Sequence, residues 1–266
     1  MEYKKKLTES ELCKVNKHIN NIILPNNNVY KELKNFLNGN SKRIRSVLTV
    51  LYLKMNGKEI SDDIISLITA GEIIHNASLL HDDVIDNAKI RRGNLTIGEQ
   101  FSPSISILAG DYLLSEAIKI ISNINNKKVT NTILKCTKKM ADAEINQYIL
   151  RSKMPTKEEY IEICEGKTAS LFEAILTSAA ILSDINSDTA FDFGKLFGIL
   201  FQIKNDISVN SIKSDSDNNI NTAYNIFGIE KTQVLIDNYI EEIMSILNKF
   251  PNNEYKKGLE DLLEKL

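Results

Sequence analysis

The chain is 266 residues long, with Lys+Arg 33 against Asp+Glu 35, a formal charge of −2. That balance gives no overall pull toward nucleic acid or anionic membranes, so any anion binding must come from local clusters. A chain of this size can bury roughly 70–75% of its unfolded surface without a metal or disulfide staple. Cys13, Cys136 and Cys164 are odd in number and widely spaced, which fits a reduced, cytoplasmic setting. The N-terminal MEYKKKLTESELCKVNKH lacks an apolar h-region, and no apolar run reaches the roughly 18 residues of a membrane span.

Four prolines and 11 glycines punctuate the chain, and apolar residues recur at i, i+3, i+4 and i+7 in segment after segment, predicting an all-α fold. Thr8 with Glu11 predicts a capping box for a first helix that ends near Pro25. Helices follow near 30–37 and 42–55, the latter stopped by Gly57. Ser61-Asp62-Asp63 predicts the cap of a long helix reaching Asp86, and the charged NAKIRRGNLTIG is expected as a loop. Further helices are expected at about 103–124, 128–151, 156–183, 187–209 and 228–249, with a short one after Pro251. KSDSDNNIN reads as a loop. No linker divides the chain, so residues 1–266 are expected to form one domain.

The chemistry concentrates where the long helix ends. Asp82 and Asp86 share a face, with Asp83 beside them. Three carboxylates at a helix C-terminus repel one another and oppose the dipole, a cost that a cation would offset. Such oxygen ligands suit Mg²⁺, which needs one or two carboxylates and completes its shell with water and phosphate. The same pattern alone also fits a solvated acidic helix end. Here, however, apolar Ala77, Leu79 and Leu80 precede it and Arg91, Arg92 and Gly93 follow, and paired guanidinium forks suit a phosphoryl group. Zinc on His75 and His81 is the weaker reading, because the two imidazoles leave the helix on different sides.

Five segments in order then resemble the trans-prenyl diphosphate synthases, the head-to-tail polyprenyl synthetases. They are SKRIRS (41–46), IIHNASLLHDDVIDNAKIRRG (73–93), LAGDYLLSEA (108–117), EGKTASLFEA (165–174) and FGILFQIKND (197–206). The resemblance implies a single-domain isoprenoid-synthase helical bundle around a central cavity, acting as a homodimer. It implies that Lys42, Arg45, His75 and Arg92 hold isopentenyl diphosphate, and that Arg91 and Lys167 contact an allylic diphosphate. Thr168 would lie at a helix break beside the reacting carbon, with Gln202 facing the same cavity. Asp82 and Asp86 would ligate two Mg²⁺ ions with Asp83 in support, and the second aspartate-rich motif would hold a third.

That second motif departs from the family's DDxxD. It reads Asn205-Asp206-Ile207-Ser208-Val209, an amide where the family has its leading carboxylate. The family's following lysine has only Lys213 as a counterpart, with Asp215 a nearby candidate, and Ser41 and Ser46 replace a Gly and a Pro. Two readings stay open: an enzyme with an altered third metal site, or an impaired or regulatory subunit of a heteromer. SKRIRS speaks against a terpene cyclase, which has no isopentenyl diphosphate to bind. Ala77 and Ser78, one turn before the aspartates, are small, and imply a product of at least twenty carbons.

Overall fold

The structure is a computed structural model that describes residues 2–22, 25–39, 41–151, 153–207 and 222–266. Ser208, Val209, Lys213, Asp215 and the KSDSDNNIN segment lie outside the described residues. Among the described residues the fold is helical apart from one two-stranded ribbon. Contacts divide the chain into two compact units, Met1–Val50 with Ile60–Asn126, and Leu51–Glu59 with Lys127–Leu266.

The first unit holds α1 (Glu2–Asn20), α2 (Asn28–Asn38), the first half of α3 (Ile44–Met55), α4 (Asp62–Ile85), β1 (Ile90–Arg91), β2 (Asn94–Leu95), α5 (Ile97–Gln100) and α6 (Pro103–Asn123). Its core is α4 against α6. Residues Ile64 to Leu80 of α4 are buried on nearly every side, which is why a single apolar stripe is hard to see there. Ser61 caps α4 as expected, its side chain accepting from the Ile64 N–H. The Thr8/Glu11 capping box does not form. Both residues lie inside α1, and Thr8 is fully buried.

The second unit holds α7 (Lys127–Leu150), α8 (Lys157–Ile163), a π-helical segment (Cys164–Ala169), α9 (Ser170–Leu182), α10 (Ser187–Asp206), α11 (Ala223–Phe227), α12 (Ile229–Leu247) and α13 (Glu254–Glu264). The single helix expected over 156–183 is therefore three pieces. Thr156 and Glu159 complete a capping box at the head of α8. Phe172 packs against Phe197 and Phe201, while Tyr52 stacks on Phe193. Gly198 lies against Ala169 and Gly194 against the backbone of Glu173, so α10 approaches the π segment and α9 to backbone contact. All three cysteines are thiols, two of them buried.

Candidate functional site

In the first unit the aspartates sit at a helix end whose geometry stops them there. Asn87 takes a left-handed φ of 52°. The Ala88 N–H donates to the Asp83 carbonyl and the Asn87 N–H to that of Val84, a Schellman arrangement that ends α4 at Asp86. The chain then turns into the ribbon, with Ile90 opposite Leu95 and Arg91 opposite Asn94. Its two linking residues, Arg92 and Gly93, have φ of 52° and 82°, the signs a type I′ hairpin turn requires. Thr96 closes the ribbon, its hydroxyl donating to the Ala88 carbonyl at 2.8 Å. The stretch expected as a loop is thus a rigid hairpin that carries both arginines.

The three aspartates are not equivalent. Asp82 and Asp86 are half-buried, whereas Asp83 is buried and accepts the Nε–H of Arg91 at 2.5 Å. Burial pushes the Asp83 carboxyl above its ordinary value, against the pull of Arg91. His81 lies beside a gap made by Gly110, where any Cβ would overlap its ring; its Nε2 is 3.3 Å from both the Ile107 carbonyl and Asp111. Ser106 donates to the Leu80 carbonyl at 2.9 Å, so α6 holds the last turns of α4 at two points.

His75 is half-buried two turns earlier, and its pKa falls well below the usual imidazole value. Desolvation is the first cause; the fields of Arg45, Arg92, Arg91 and Arg43 follow. Four guanidinium groups therefore act on one neutral imidazole. Lys42 is exposed and Arg45 half-buried on the first turn of α3.

Arg43, between Lys42 and Arg45 in SKRIRS, faces the interior. It is buried, its guanidinium donating to Glu72 at 3.1 Å and to the Leu37 carbonyl at 2.9 Å. Ser46 donates to the second oxygen of Glu72 at 2.6 Å. The hydroxyl that replaces the family's proline thus supplies the donor this buried carboxylate needs. Arg43 also holds a left-handed φ of 47°. Among the described residues, the non-glycine residues with positive φ are two asparagines, one aspartate, Arg43 and Arg92. Asn and Asp tolerate that conformation readily; the arginines mark stored strain.

In the second unit the π segment presents Lys167 and Thr168, a widened turn of a kind often found at functional positions. The Lys167 ammonium pairs with Glu144 at 2.5 Å and donates to Gln147 Oε1 at 2.8 Å, both on α7. Thr168 donates to Gln202 Oε1 at 2.6 Å. Gln202 donates in turn to Asp206 Oδ1 at 2.5 Å, and Tyr160 donates to Asp206 Oδ2 at 2.5 Å. Asn205 is exposed and Asp206 buried. The half-buried Gln202 amide thus has a partner at each end. Sequence reasoning passed over Tyr160, Glu144, Gln147 and Glu72, because each matters through a bond 20 to 46 residues away in the chain.

Among the described residues, no three His, Cys, Asp or Glu side chains gather as a ready-made metal cage. Asp82 and Asp86, one turn apart at a helix end, fit a cation that draws most of its ligands from water and phosphate.

The family described as Polyprenyl synthetase matches residues 26–255. A prenyl transferase of Porphyra purpurea is 36% identical over 185 residues, 67% of this chain and 57% of that protein. A short chain isoprenyl diphosphate synthase of Methanocaldococcus jannaschii is 30% identical over 208 residues, 74% and 62% of the two chains. The aligned region thus spans less than two thirds of those relatives' own length. The fold matches a decaprenyl diphosphate synthase from Rhodobacter capsulatus with a TM-score of 0.90 at 22% identity, covering 98% and 97% of the two chains. It matches a polyprenyl synthase from Caulobacter crescentus, complexed with calcium and isoprenyl diphosphate, with a TM-score of 0.89 at 23% identity, covering 98% and 95%. With five motifs in order and a family match over most of its length, the chain belongs to the polyprenyl synthetase family.

Proposed function

We propose that the chain is a prenyltransferase that condenses isopentenyl diphosphate with an allylic diphosphate to a product of at least twenty carbons. The observation that carries this reading is His75 kept neutral in the field of four arginines. Two of these arginines already face carboxylates, Arg43 on Glu72 and Arg91 on Asp83, and a diphosphate would bring further oxygens to the guanidinium cluster beside His75. Lys42, Arg45, His75 and Arg92 are assigned to the homoallylic diphosphate. Arg91 is assigned to the allylic one on the family pattern, and within the second unit Lys167 is assigned to a diphosphate.

Asp82 and Asp86 would hold Mg²⁺ with Asp83 in support, and the metal would supply charge to the departing diphosphate. Around it, the cationic side chains bind and orient both diphosphates, and the leaving group departs into positive charge. The allylic carbon, made cationic, is attacked by the double bond of isopentenyl diphosphate, and a proton is lost to the departing diphosphate. Thr168 and Gln202 are assigned to the neighbourhood of that carbon. Asn205 offers an exposed amide oxygen where the family has a carboxylate.

The small Ala77 and Ser78, one turn before the aspartates on α4, support a long product on the family pattern. Tyr112 on α6, edge-on to Tyr30 at 5.4 Å, is a bulky group in the same unit. A homodimer fits the exposed Leu134, Ile145, Tyr148 and Ile149, which recur along one face of α7. Among the described residues no helix is long and apolar enough to cross a membrane, and three thiols fit the cytoplasm.

The exposed Asn205 favours one second reading, a regulatory subunit of a heteromeric synthase. One assay separates the two. The purified chain, given Mg²⁺, labelled isopentenyl diphosphate and primers of ten, fifteen and twenty carbons, should extend at least one of them. No extension of any primer would leave the regulatory reading.

A further inference from the structure

The polar chain of the second unit has a direction. Tyr160 OH and Gln202 Nε2 both donate to Asp206, and Gln202 Oε1 accepts the hydroxyl hydrogen of Thr168. An ionised carboxylate only accepts, so Asp206 calls for the NH₂ end of Gln202. The amide then has only its oxygen left for Thr168. An oxygen there takes the Thr168 hydrogen and leaves that hydroxyl with lone pairs alone to offer elsewhere. Tyr160 and Asp206 are 4% and 6% exposed, so water does not compete for these bonds. The chain begins on α8, crosses to α10 and returns to the π segment eight residues after it began.

We infer that Tyr160 and Asp206 are positioning residues: through Gln202 they fix Thr168 as a hydrogen-bond acceptor toward the reacting carbon, and Asp206 is an anchor of this chain rather than a metal ligand. The inference rests on the proposed prenyl transfer for what Thr168 faces. A hydroxyl whose hydrogen is already committed presents its negative end to a developing allylic cation without reorganising. The same hydroxyl turned round would present its hydrogen instead.

Two substitutions separate this role from mere packing. Tyr160→Phe removes one donor from Asp206 and keeps the ring, while Asp206→Asn allows the Gln202 amide to turn over at nearly constant volume. Asp206→Asn should lower kcat roughly 100-fold and Tyr160→Phe roughly tenfold, with KM for both substrates within about twofold. A tyrosine acting only in packing would leave kcat in place. A metal ligand at 206 would instead raise the Mg²⁺ concentration needed for half-maximal rate, and either result overturns the inference.

A second measurement does not depend on turnover. In the ¹⁵N spectrum of the full chain, the Gln202 side-chain amide should show a strongly downfield proton from its short bond to a carboxylate. That shift should vanish in Asp206→Asn and persist in Tyr160→Phe. An ordinary Gln202 amide shift in the wild-type chain overturns the inference; a shifted amide in a chain that extends no primer refutes only the proposed function.

Discussion

The Nε of Arg91 lies 2.5 Å from Oδ1 of Asp83, and this bond sets the middle aspartate apart from its two neighbours. Asp83→Ala should therefore act first on the hairpin. It leaves Arg91 without its carboxylate, at a cost of about 2 kcal/mol in urea unfolding. Asp82→Ala and Asp86→Ala should leave stability nearly unchanged and raise the Mg²⁺ needed for half-maximal condensation by at least about tenfold. Equal Mg²⁺ dependence in all three variants would contradict the division of labour.

Asn205→Asp restores a carboxylate at an exposed position. The added charge should lower the Mg²⁺ concentration for half-maximal rate by roughly tenfold, because a carboxylate is the better ligand for a hard cation. A Mg²⁺ titration of both forms measures it. If neither form condenses with any primer, the chain is not an active synthase.

Ala77→Phe places a ring on a buried face of α4. Chromatography of the extended products should show a shorter chain-length distribution. An unchanged distribution would remove Ala77 from the path of the growing chain.

His75 sets a pH dependence. Its folded pKa lies well below the ordinary value of 6.5. As pH falls below 6.5 the unfolded chain takes up a proton that the folded chain refuses, so stability is present above that pH and is lost below it. The loss should approach about 1.4 kcal/mol per pH unit from this one group. His75→Gln should flatten the curve between about pH 6.5 and 5 in urea unfolding.

Arg92 carries a cation in a left-handed turn that favours glycine. Arg92→Gly should stabilise the fold by about 1 kcal/mol while raising KM for isopentenyl diphosphate at least roughly tenfold. Arg92→Ala loses the cation and keeps the strain, so it should match the KM defect without the gain in thermal unfolding temperature.

Much of this was legible in local sequence. Ser61 caps α4, Gly57 ends α3 with a φ of 69°, and Asp82 and Asp86 share the face their spacing dictates. What was not legible is what distant residues impose. Thr8 and Glu11 spell a capping box, yet the helix continues through them because Thr8 is packed in the interior. Arg43 resembles an exposed basic residue until Glu72, 29 positions on, receives it. KIRRGN is rich in charge and reads as a loop, but two positive φ angles and one bond from Thr96 make it a hairpin. The widening at Cys164–Ala169 has no periodic signature, because one extra residue in a turn barely shifts an apolar pattern.

Gly194 and Gly198 have a consequence for how such a chain can drift over generations. Where each stands, even one added methyl would meet the backbone of Glu173 or Ala169, so α10 is held in place by two positions that admit only hydrogen. Asn205, two turns beyond Gly198, is solvent-facing and bears none of that constraint. An acid can stand at 205 without disturbing the scaffold. The altered motif therefore sits on a helix whose placement is fixed by the two glycines behind it, not by the residue at 205.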